Sequence, residues 1–193
     1  GCDMGMDIDE LYDEVDDKAA EAAAETRTLK SVAEQVTEDL ARSRLELSDV
    51  FKGRVLNHFE VQHELGRSHA PGADGGYLIP YFDLEGRPIM ENGRQYARVR
   101  LVGPHRDDTP RYLSRGATTS HPYIPSQLRD AFANSKVGKT LTITEGEKKA
   151  VAACKAGIPC VALPGVYNFQ SKLAREEGQL IPDLRSLIRQ LHE

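Results

Sequence analysis

Tryptophan is absent from this 193-residue chain, and aromatic residues make up only 6% of it. The core must come from a hydrophobic fraction of 39%, which suffices for one domain or two small ones. Long hydrophobic runs are missing too. The longest are pieces such as "AVAA" and "CVALP". Nothing approaches the roughly 18 residues of a membrane span, and nothing resembles a signal-peptide core. That points to a cytoplasmic protein with no membrane partner. Cysteine is scarce. Cys2, Cys154 and Cys160 are an odd number at uninformative spacings, so they read as reduced thiols. Proline is absent between Asp7 and Ser48, and glycine between Gly5 and Gly53. That whole stretch therefore lacks a helix breaker.

What is present is charge, unevenly placed. Residues 1–49 hold 15 Asp/Glu against 5 Lys/Arg, and residues 50–193 hold 15 against 20. An acidic front thus precedes a mildly basic body, which suggests two functional segments. The front is rich in Ala, Glu, Leu and Lys, all helix formers. Its apolar residues follow a heptad. One row is Ile8, Val15, Ala22, Leu29 and Val36; the other is Tyr12, Ala19, Thr26, Ala33, Leu40 and Leu47. A helix or helix pair on its own domain, a weak homo-oligomeric coiled coil through residues 7–48, and a partly helical tail all fit this pattern.

The body changes period. Residues 49–66 read as a short helix with apolar Val55, Leu56, Phe59 and Val61. His58, His63 and His69 match no zinc spacing. "SHAPGADGG" (68–76) is turn chemistry and marks a boundary. "GYLIPYFDLEGRPI" (76–89) alternates around a turn at Glu85-Gly86. In "QYARVRLVG" (95–103), Tyr96, Arg98, Arg100 and Val102 share one face and Ala97, Val99 and Leu101 the other. Helices are expected over 125–135, 145–157 and 183–193, and strands over 139–144 and 158–165. The expected fold is mixed α+β and α/β: an N-terminal long helix or helical hairpin, a small antiparallel sheet subdomain, then a βαβ unit with a parallel sheet. The segments are 1–49, 50–69, 70–138 and 139–193.

Three motifs bear on chemistry. "ANSKVGKT" (133–140) fits a loose phosphate-loop pattern, but its order is helix, loop, strand, the reverse of what cradles phosphate. Glu145 stands at the carboxyl end of an expected strand, before a glycine that permits a sharp turn. A carboxylate there can hold a hard cation or act as general acid/base, or simply cap the helix. Arg94, Arg98, Arg100, Arg106, Arg111 and Arg115, with Tyr96 and Tyr112, suit phosphates and stacked bases, or a solvated sheet face.

In order, "YLIPYFDLEGRPI", "YARVRL", "DDTPRYLS" and "LTITEGEKKAVAACKAGIPCVALPGVYN" resemble the catalytic core of bacterial-type primases. The nearest likeness is to the Toprim-like domain of phage and plasmid replication proteins, over about residues 70–170. The resemblance implies a partial Toprim unit at 139–193 with Glu145 as catalytic and Mg²⁺-facing residue. It implies single-stranded DNA or RNA contacts from Arg98, Arg100, Arg111, Tyr112, Lys148 and Lys149. It implies motif turns at Gly146, Gly165 and Asn168, and a replicative helicase as a possible partner. Lys149 stands where some Toprim enzymes carry Asp, and the Asp-x-Asp of the third strand is missing, so the metal site is incomplete. Three readings follow: a fragment of a primase-like replication protein, inactive alone; a non-catalytic nucleic-acid-binding or adaptor protein; or a regulatory, anti-defence protein of a mobile element.

Overall fold

A computed structural model describes residues 30–67, 73–104, 110–116, 118–134, 138, 140–165, 168–170 and 178–190. Among the described residues the first helix, α1 (Val32–Ala41), ends well before the heptads predict. It ends because Arg44 adopts a left-handed backbone, φ 57°, and Leu45 folds back, its amide donating to Leu40 O at 3.1 Å. Neither glycine nor proline announces this break. Burial of Leu45 against Val36, Leu40 and Val50 sets it. Of the expected long helix or helical hairpin, the long helix is corrected accordingly over 42–48. Val36 and Leu40 serve the chain's own core, while the heptad positions from Ile8 to Leu29 lie outside the described residues.

Residues 49–66, read as one helix, divide in two. Arg54–Asn57 is strand β1 and His58–Leu65 is helix α2. The divider is a capping box: Asn57 Oδ1 accepts from Glu60 N, and Glu60 Oε2 accepts from Asn57 N. Phe59, expected inside, is 77% exposed. Both ring nitrogens of His58 are engaged: Nδ1 donates to Ala73 O and Nε2 accepts from Gln62 Nε2.

Four strands form an antiparallel sheet in the order β1-β2-β5-β6, with β2 at Gly75–Pro80, β5 at Ala97–Val102 and β6 at Tyr112–Ser114. Because β1 pairs with β2, the sheet crosses the boundary expected at 69/70. Gly75 and Gly76, read as turn, lie within β2. A Cβ on Gly76 would sit 2.3 Å from Arg100 O, so only glycine lets the strands approach this closely. Between β2 and β5 a hairpin of β3 (Met90–Glu91) and β4 (Arg94–Gln95) turns at Asn92-Gly93, both with positive φ.

Farther along come helix α3 (Ser126–Ala133), strand β7 (Thr142–Glu145), helix α4 (Glu147–Lys155), strand β8 (Cys160–Leu163) and helix α5 (Pro182–Gln190). β7 and β8 pair in parallel, and Tyr123 bridges the other side of β8 at Ala162. The βαβ unit is therefore present.

Three apolar clusters define layers. Leu56, Val61, Leu65, Val99 and Leu101 pack α2 on the outer sheet face. Tyr77, Ile79, Tyr81, Ala150, Cys160 and Ala162 join the inner face to α1, α4 and β8. Val161 and Leu163, alternating with those β8 residues, face Leu128, Leu184 and Leu187 of α3 and α5. Residues 32–193 form one compact unit. Among the described residues no helix is long and apolar enough to cross a membrane, and Cys154 and Cys160 are free thiols.

Candidate functional site

The turn between β7 and α4 carries two glutamates with opposite fates. Glu145 ends β7 and is exposed. Gly146 follows with φ 88° and ψ 131°, a backbone that a side chain rarely tolerates, and its amide donates to Leu163 O at 3.3 Å. Glu147 opens α4 and turns inward, 1% exposed. Ala150 and Val151, three and four residues on, share its face.

Glu147 meets the sheet's inner face. Strand register puts Tyr77, Arg100 and Tyr112 in one row across β2, β5 and β6, and Ile79, Arg98 and Ser114 in the next. Arg98 Nη1 donates to Glu147 Oε1 at 2.8 Å, and the Tyr81 hydroxyl donates to the same oxygen at 2.6 Å. Glu147 Oε2 is buried with no hydrogen-bond partner. Burial, reinforced by the Glu147 charge, pushes the Tyr81 phenol well above its ordinary range.

A second knot lies alongside. Asp39 of α1 accepts from Arg100 at 2.9 Å and 3.3 Å, from Lys148 Nζ at 2.9 Å and from the Tyr77 hydroxyl at 3.1 Å. Burial alone would raise the Asp39 carboxyl, but hydrogen bonds and charge from Arg100 and Lys148 outweigh it and hold it at about 2. Burial pulls the Lys148 ammonium down, with Asp39 opposing. The Tyr112 ring links the two knots, lying 5.2 Å from the Arg98 guanidinium and 4.7 Å from that of Arg100.

The structure thus brings Arg98, Arg100, Tyr112 and Lys148 together, but facing inward. They are neither a phosphate track nor a solvated face: Arg100 is 7% exposed, and each of the three cations pairs with an acid. Arg111 and Lys149 are exposed. Gly165 and Asn168 meet in one turn, Asn168 N donating to Gly165 O at 3.0 Å. Sequence reasoning missed Asp39, Glu147 and Tyr81. One signal was there: each acid sits on the apolar stripe of its helix, Asp39 three residues after Val36 and Glu147 three before Ala150.

By itself Glu145 does not make a Mg²⁺ site. Among the described residues no three His, Cys, Asp or Glu side chains converge on one point. One carboxylate supplies one or two of about six ligands.

Residues 133–193 match the family described as a domain of unknown function, DUF3854. The match covers α4, both parallel strands and α5. No curated protein matches the chain, and no solved structure does.

Proposed function

We propose that this chain is a nucleic-acid-binding component of a primase-like replication protein of a phage, plasmid or other mobile element. In this reading β7-α4-β8 is a partial Toprim-like unit and Glu145 is its metal-facing residue. The observation that carries the reading is the placement of Glu145. It is an exposed carboxylate at the carboxyl end of a parallel strand, where such sheets bind ligands, on a turn that requires glycine. Glu147, two residues on, is locked into the sheet by Arg98 and Tyr81 and so holds that turn in place. Any further carboxylates for Mg²⁺ would come from outside the described residues. Without them the chain binds but does not polymerise.

Fluorescence anisotropy with a labelled single strand tests the binding half. Affinity should fall steeply between about 50 mM and about 200 mM salt, as phosphate contacts require. Primer synthesis with Mg²⁺ and nucleotides tests the other half, and none is expected. Failure to bind any single strand at low salt would sink the proposal.

A further inference from the structure

If Arg98, Arg100 and Lys148 are spent internally, the strand must lie elsewhere. We infer that single-stranded nucleic acid crosses the face built by α2 and the β4 and β6 edges, with a base stacked on Phe59 and phosphates on Arg67 and Arg94. The inference rests on the nucleic-acid-binding reading above and gives it a surface.

Phe59, His63, Arg67, Arg94 and Arg115 line one open depression of about 540 Å³. Phe59 is 77% exposed, a large ring with no apolar cover and therefore a free stacking platform. Arg67 and Arg94 are exposed and form no ion pair with any described residue. Arg115 is held rigidly. Its guanidinium donates to the carbonyls of His63 and Glu64, capping the α2 C-terminus and setting its charge at the rim.

The acids of α2 do not cancel this charge. Glu60 and Glu64 both pair with Arg54, away from the depression. Among the described residues no acid lines the depression itself. Arg94 and Arg115 also line an adjoining cleft of about 220 Å³ floored by Leu78, Pro80 and Val99; its two acids are engaged elsewhere, Glu64 by Arg54 and Glu91 by Thr119. The cleft is several times the roughly 30 Å³ of a water molecule, and its apolar floor suits the flat face of an unstacked base. Aromatic, guanidinium and apolar slot in sequence make up the chemistry that holds single strands without reading their sequence. A duplex has no exposed base face to offer Phe59.

The full chain is titrated with fluorescein-labelled oligodeoxythymidine and oligouridine, by anisotropy at about 50 mM and about 200 mM salt. Arg67→Ala with Arg94→Ala should lower the salt slope by about 2. Phe59→Ala should weaken binding about tenfold at an unchanged slope, and Phe59→Tyr should restore it. Arg189→Ala on α5 should change nothing. Circular dichroism melts should match the parent for every variant, since all these side chains are exposed. If the strand binds but only Arg111→Ala and Lys149→Ala weaken it, this surface is wrong and the functional reading survives. If no strand binds, both fall. If poly-glutamate displaces the strand as well as unlabelled oligodeoxythymidine does, the face is a general acidic-partner site and the nucleic-acid assignment is overturned.

Discussion

Two sets of arginines have opposite fates. Arg98 and Arg100 on β5 point inward to acids from other elements, Glu147 of α4 and Asp39 of α1, 49 and 61 residues away in sequence. Arg67, just past α2, and Arg94 on β4 stand outside and form no ion pair with a described residue, although Glu91 lies opposite Arg94 across the hairpin. Basic residues close together in sequence are therefore not interchangeable. Alternation decides the face, and what packs on that face decides whether a cation is a tool or a tie.

The comparison breaks most sharply at Glu147. Glu147→Ala should leave Arg98 buried and unpaired and cost about 3–5 kcal/mol in urea unfolding. Arg98→Ala should cost a similar amount, leaving the Glu147 charge buried with only the Tyr81 hydroxyl to oppose it. Combining Arg98→Met with Glu147→Leu should recover most of the loss, because an apolar pair needs no desolvation. By contrast, Arg67→Ala and Arg94→Ala should move stability within about 0.5 kcal/mol. If the inner and outer arginines cost the same, the division fails.

Asp39 sharpens the comparison through pH. Its folded carboxyl is held at about 2, below the ordinary value of 3.8. Its contribution is thus fully present above roughly pH 4 and is lost as pH falls toward 2. The shift corresponds to about 2 kcal/mol. Asp39→Asn should destabilise the chain by at least that amount at pH 6, and the gap to the parent should narrow steadily below pH 4. A gap constant from pH 6 to pH 2.5 would mean that the Asp39 charge is not what binds α1 to Arg100 and Lys148.

Much of this was legible in sequence, and the losses share a cause. The βαβ unit, the alternation of β5 and the helix over 126–133 follow from local period and turn residues, and all are present. The capping box at Asn57–Glu60 was equally local and was overlooked. The end of α1 was not legible, since Arg44 and Leu45 stop the helix only because a core is waiting for Leu45. For the candidate site, Glu145, Gly146 and the Gly165–Asn168 turn came from strand-end logic and resemblance. The inward fate of Arg98 and Arg100 needed partners far along the chain, which no local pattern records.

The smallest stability effect is expected at Glu145, and its size is informative. Glu145 is exposed and Glu147 is not, although both are glutamates flanking one glycine. Glu145→Gln keeps the shape of a solvated side chain and removes only a charge that water already screens. Its cost should stay within about 0.5 kcal/mol. Glu147→Gln, nearly isosteric as well, leaves the Arg98 charge buried against a neutral amide, so its cost should be several times larger. Running the two variants side by side in urea isolates position from chemistry, because the substitution is identical. Equal losses would mean that Glu145 is a structural cap in a hidden contact, and the proposal that it faces a ligand would lose its basis. A silent Glu145→Gln beside a damaging Glu147→Gln would show that the chain spends one glutamate on holding the turn and leaves the other free at the strand end.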